Sequence, residues 1–149
     1  MKTSLLKSLI VIAIVCLIVG GCKKEDATPA SGEFSFGSTK YSGGCYANAS
    51  SFCSGSTDVM IVSTNKVNNF IVYNMPTSSS GSFTITNGWS TSTSCGDIYV
   101  LAVKEAGALS ASINGTLIKT GAKSFTLTTN VTDSPSMSAA TTSKATGSY

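Results

Sequence analysis

Apolar residues fall into two regimes along the chain. Residues 9–19 (LIVIAIVCLIV) form one unbroken apolar run, preceded by Lys2 and Lys7. Beyond residue 33 the apolar positions come in short runs, many alternating with Ser or Thr and separated by Gly, Asn and Pro. No stretch holds a helical period, and alternation over four to eight residues between turn signals predicts half-buried β-strands. Phe34 and Phe36 alternate around Ser35, and Gly37-Ser38 turns the chain into a strand over 39–42. Residues 59–62 (VMIV) and 70–75 (FIVYNM) flank a turn at Asn65-Lys66, and residues 82–86 (SFTIT) lead into Asn87-Gly88. Residues 98–103 (IYVLAV) read as a central strand covered on both faces. Leu109, Ala111, Ile113 and Leu117 alternate with polar neighbours, with Asn114-Gly115 as a turn or bulge, and Phe125, Leu127 and Val131 share one face of the next strand. Residues 138–149 supply the last strand or strands. The expected fold is all-β: a single antiparallel β-sandwich or small β-barrel of about eight strands.

The first run has a different meaning. At 9–19 it suits the apolar core of a signal peptide and is short of the ~20 residues of a comfortable membrane span. Val19-Gly20-Gly21-Cys22 follows it: an aliphatic residue, two small ones and a cysteine. This resembles the lipobox of bacterial lipoproteins, and the resemblance covers only the first 22 residues. It implies a diacylglyceryl thioether on the Cys22 sulfur and cleavage before that residue, at a bond that the small preceding residues leave accessible to the peptidase. In that family the freed amine is often acylated too, and each buried CH₂ contributes about 0.8 kcal/mol, so two or three chains anchor stably. Lys23-Lys24-Glu25-Asp26 resembles the Lys-then-acid signal that sends some lipoproteins to the outer membrane, and equally fits a solvated charged tether. Residues 27–32 (ATPASG) have linker composition. The expected organisation is a lipoprotein signal peptide over 1–21, a lipidated cysteine and flexible tether over 22–32, and a β domain over 33–149. The layout is similar to small all-β outer-membrane lipoproteins of unassigned function. That resemblance carries a fold and an address, and no activity.

Composition narrows the chemistry. Charged residues make up 11% of the chain, with a formal net charge of +3, and there is neither Arg nor His. Nucleic-acid binding wants clustered cations, so no nucleic-acid partner is expected. Bidentate anion recognition lacks its usual residue, and general-base or metal chemistry lacks histidine. No metal or other cofactor is expected. Ser and Thr reach roughly 30% of the chain, far above ordinary usage, and the surface depends on hydroxyls and amides for solubility.

The candidate site residues follow. Three cysteines besides Cys22 lie in the β domain: Cys45, Cys53 and Cys95. An exported domain can oxidise them, giving one disulfide and a leftover thiol. Cys45–Cys53, nearest in sequence across a Gly/Ser-rich loop, is the favoured pairing, with pairings to Cys95 left open. Trp89 and Tyr46, each read in a polar loop, are candidate ligand-contact aromatics of the kind that stack on sugar rings, although such rings more often fold back over a core edge. Ser63-Thr64-Asn65-Lys66 matches the S-x-x-K box of penicillin-recognising serine enzymes, loosely echoed by Ser112-Ile113-Asn114 and Lys119-Thr120-Gly121. That mechanism needs the Ser and Lys heads to meet one helical turn apart, whereas here they sit at a strand end and turn in a chain too short for that helix-rich fold. Ser42-Gly43-Gly44-Cys45-Tyr46 fits the SGxxY element of small periplasmic lysozyme inhibitors, which implies inhibition of an attacking hydrolase as the competing function. Sequons at Asn48, Asn114 and Asn130 are read as ordinary turns, and Asp58, Asp97, Glu105 and Asp133 are too scattered for a paired acid–base or calcium site. The sequence therefore points to a non-enzymatic binding or structural module, held at the outer membrane through a lipid on Cys22, with a glycan or an envelope protein as partner.

Overall fold

The computed structural model describes residues 30–50, 52–78, 80–90, 94–135 and 139–149. Cys22 and the expected signal peptide lie outside them. Nine strands follow in order: β1 (Ala30–Phe36), β2 (Thr39–Ala49), β3 (Ser56–Ser63), β4 (Asn69–Pro76), β5 (Gly81–Ile85), β6 (Tyr99–Val103), β7 (Leu109–Gly121), β8 (Ser124–Thr132) and β9 (Thr141–Ser148). β1 begins at Ala30, inside the segment expected to be tether, because residues 30–32 pair with 45–43 of β2.

The sheet closes on itself. Its pairing order is β5-β7-β6-β4-β3-β2-β1-β9-β8, and β7 also pairs with β8. Eight strands thus form an antiparallel barrel, with β5 an additional strand laid beside the far half of β7. β7 is long enough to serve two neighbours on one edge: its start pairs with β6 and residues 115–119 pair with β5. The choice between sandwich and barrel is settled by the β8–β9–β1 pairings, which join the last strands to the first.

Alternation sends one residue in two to the interior. On β8, Phe125, Leu127, Thr129 and Val131 are buried while Thr126 and Thr128 face outward. An eight-stranded barrel is just wide enough for side chains to fill. Phe34, Ile61, Phe70, Val72, Leu117 and Phe125 occupy the middle. Small inward residues make room for these rings. A Cβ on Gly147 would sit 2.9 Å from the Phe125 ring, and one on Gly32 would sit 2.9 Å from Ile61. Phe34, Phe36, Tyr41 and Phe70 cluster with centroids 5.1–6.3 Å apart toward one end.

A lysine closes the other end. Lys119 follows Leu117 onto the inward face of β7, and it is 2% exposed. Its ammonium donates to the carbonyls of Pro76 (2.7 Å) and Ala122 (3.0 Å) and to the Tyr149 hydroxyl (3.4 Å). The Tyr149 hydroxyl donates in turn to Met75 Sδ. Burial lowers the Lys119 pKa from its ordinary 10.5, since a charge surrounded by neutral acceptors is poorly compensated for lost water.

Candidate functional site

The outer wall of β2 and β3 carries the chain's most site-like relief, and glycine creates it. A Cβ on Gly43 would lie 1.8 Å from the Val62 carbonyl oxygen, so β3 approaches closer than any side chain permits. Gly44, the next residue, faces outward, where the Tyr46 ring lies across it: a Cβ there would sit 2.7 Å from the Tyr46 hydroxyl. Covering a strand glycine with a neighbouring ring shields the exposed backbone. It also holds the ring against the wall, 44% exposed. Met60, Ile71 and Leu101 continue from Tyr46 in register across β3, β4 and β6, so the platform stands at one end of an apolar row.

Two hollows meet at Tyr46. One, of about 310 Å³, runs over Gly43 and Gly44 toward Thr64 and Lys66 in the β3–β4 turn. The other, of about 910 Å³, passes Asn48, Thr57 and Met60 toward Lys123 and Tyr149 at the barrel end. Together they make a trough with an aromatic floor at mid-length and amide, hydroxyl and ammonium groups along its sides. Compared with known proteins, the chain matches no family model, no curated protein and no solved structure. The site's chemistry therefore rests on its own geometry.

Tyr46 is not in the loop its sequence suggests. The strand expected over 39–42 runs on to Ala49, because Gly43 and Gly44 stay in register with β1 and β3 and do not end it. The same extension overturns the favoured cysteine pairing. Cys45 lies in mid-strand with its side chain inside the barrel, 3% exposed, while Cys53 lies beyond the strand's end. The disulfide is Cys53–Cys95, with Cα atoms 5.2 Å apart, and Cys45 is a free thiol. Burial pushes that thiol from 9.0 up to about 11.

The disulfide belongs to a larger knot. Asn74 takes a left-handed conformation (φ 56°) where β4 bulges against β3. Its backbone N–H donates to Asp58, its side-chain amide donates to the Asp97 carbonyl, and its side-chain oxygen accepts from Ser50. Asn74 thereby fastens the β2–β3 and β5–β6 connections that Cys53–Cys95 also joins. Neither Asn74 nor the structural role of Lys119 stands out in the sequence.

Trp89 folds back. It is half-buried, and its indole N–H donates to the Thr132 carbonyl at 3.3 Å, so the ring fastens the β5–β6 connection onto the end of β8. The residues of the S-x-x-K echo are dispersed. Ser63 is buried and donates to Asn65 at 2.5 Å, whereas Lys66 occupies an exposed left-handed turn position. Ser112 donates to the Thr86 carbonyl within the wall, and Lys119 plugs an end. Ser42-Gly43-Gly44-Cys45-Tyr46 lies flat in β2 instead of hinging a loop. The sequon asparagines are strand residues rather than turns: Asn48 on β2, and Asn114 and Asn130 hydrogen-bonded to each other across β7 and β8. Among the described residues no group of three or more His, Cys, Asp or Glu side chains could hold a metal ion.

Proposed function

We propose that this chain is an envelope lipoprotein, cut before Cys22, lipidated there and held at the outer membrane, whose barrel is a non-enzymatic binding module. The observation that carries the binding role is the Tyr46 ring, laid over Gly44 with a face left to solvent where two hollows meet. A ring fixed in that way loses little freedom on stacking, and the flanking Asn48, Thr57 and Lys66 suit the hydroxyls of a sugar chain. A glycan is accordingly the preferred ligand. The filled interior supports the same reading, because a ligand must come to the wall. The address rests on Val19-Gly20-Gly21-Cys22 and the charged residues around it.

Two experiments test the two halves. The purified chain from residue 25 onward is applied to a panel of envelope and matrix glycans beside its Tyr46→Ala variant. Capture of one glycan class by the parent, weakened about tenfold or more in the variant, is expected; a stacked base or ring is worth about 1–3 kcal/mol. Equal capture by both chains would remove Tyr46 from the site. For the anchor, fatty-acid label is expected on the parent and absent from Cys22→Ser, and label retained by that variant would refute the assignment.

A further inference from the structure

The barrel has two unlike ends. Ala30, where the chain arrives from Cys22, opens β1 at the end that also carries the β2–β3, β4–β5 and β7–β8 connections. Phe52 stands in the first of these and is 70% exposed, more than any other large apolar side chain among the described residues. Its loop is firmly held. Ser50 Oγ accepts from the amides of Phe52 (3.3 Å) and Cys53 (3.4 Å), Ser50 donates to Asn74, and the disulfide ties Cys53 to Cys95. The backbone is thus tied at Ser50 and at Cys53, and the Phe52 ring stands in water beside the disulfide.

The loops at the tethered end carry little charge. The connections at 50–55, 77–80 and 122–123 contain no carboxylate and one cation, Lys123. Of the nearby acids, Asp97 accepts from the Ser94 amide and Asp58 from the Asn74 amide. The opposite end carries Glu105 and Asp133 together with Lys66 and Lys104, and Lys104 is paired with Asp133. The eight residues from Cys22 to Ala30 reach at most about 28 Å when fully extended, so an anchor on Cys22 holds Ala30, at the Phe52 end, within that distance of the bilayer. On the lipoprotein reading two or three acyl chains already hold Cys22 at the bilayer, so a further apolar contact there orients the barrel rather than supplying the anchorage.

We propose that Phe52 is a membrane-contact residue, inserting its ring among lipid headgroups and upper acyl chains so that the barrel stands on the bilayer with its tethered end down. This rests on the lipoprotein reading for its biological setting, but its test does not. The chain beginning at Cys22 is coupled through that thiol to a maleimide lipid in phosphatidylethanolamine–phosphatidylglycerol vesicles. Cys45 is buried and Cys53–Cys95 is bonded, so coupling falls on Cys22. Phe52→Trp is compared with the parent, whose Trp89 is fastened to the end of β8. The variant is expected to add a blue-shifted emission that is lost when the acyl chains are brominated near the headgroup. Without the maleimide lipid, partition of the Cys22→Ser chain onto the same vesicles is expected to fall about tenfold on Phe52→Ser, from partial burial of one ring. Emission from the introduced indole at a water-exposed wavelength, undiminished by bromolipid, would overturn the proposal. A chain that carries no fatty acid in cells but still shows the quenching would instead refute the anchor alone.

Discussion

Raising the pH through the titration of Cys45 is expected to unload the barrel in a calculable way. The folded chain holds this thiol's proton up to about 11, against 9.0 for an ordinary thiol, because burial penalises the thiolate. Between those values the unfolded chain releases its proton and the folded chain does not, so stability present below pH 9 is lost as pH rises through 11. At about 1.4 kcal/mol per pH unit the full loss is about 2.7 kcal/mol. Cys45→Ala abolishes it, at the expense of a small cavity worth about 1 kcal/mol at every pH. The parent should therefore be the more stable protein near pH 8 and the less stable near pH 11, the two curves crossing at about pH 10. The burial that lowers Lys119 and raises Tyr73 and Tyr99 is common to both chains and drops out of the difference. Tyr149, raised by burial and then by the Cys45 charge, adds to the parent's loss. Urea unfolding followed by Trp89 fluorescence measures the effect, with non-reducing gels at each pH to show that Cys53–Cys95 stays intact. Parallel stability curves for the two proteins would refute the buried-thiol reasoning.

Lys119→Met keeps the stem volume and is expected to change stability by less than about 1.5 kcal/mol, whereas Lys119→Ala removes about three buried methylenes and should cost about 3 kcal/mol; equal losses in thermal unfolding would mean that the ammonium's hydrogen bonds, not its stem, close the barrel end. Gly43→Ala drives a methyl into the Val62 carbonyl and should cost about 3 kcal/mol or more, or prevent folding, while Gly55→Ala tests a left-handed loop position with open space around it and should cost only about 1 kcal/mol. The paired replacement Cys53→Ser with Cys95→Ser frees a 42-residue loop and should lower stability by about 4 kcal/mol in the chain-entropy picture. Denaturant midpoints indistinguishable from the parent's would show that the Asn74 knot suffices to hold the two connections.

The strands that alternate strongly are legible from the sequence. Phe34 and Phe36, or Phe125, Leu127 and Val131, lie inward as their spacing requires, Asn65-Lys66 turns, and Asn114-Gly115 falls beside the bulge in β7. That bulge also shows where pattern reading stops. It shifts the register between Ser112 and Asn114, so alternation continues from Leu117 to Lys119, but before it Ser110 and Ser112 are buried and Leu109 is 40% exposed, against the expected face. β2 reads short because Gly43-Gly44-Cys45 has the composition of a loop, and pairing with β1 on one side and β3 on the other makes it a strand. β9 presents Ser143, Ala145 and Gly147 to the core, residues too small to announce a buried face. The cysteine pairing and the closure of the sheet join segments distant in sequence, and no local pattern encodes them. Tyr46 is legible as a candidate, but the trough it sits in depends on two glycines and on a neighbouring strand.

A sheet whose last strands return to its first has no selvedge among the eight that form the ring. Every one of them already has a hydrogen-bonding neighbour, so the ring itself gives crowded copies no template along which to knit into a continuous fabric. What loose hem remains is the outer side of β5, five residues long and opened by a glycine, too short to start a long seam.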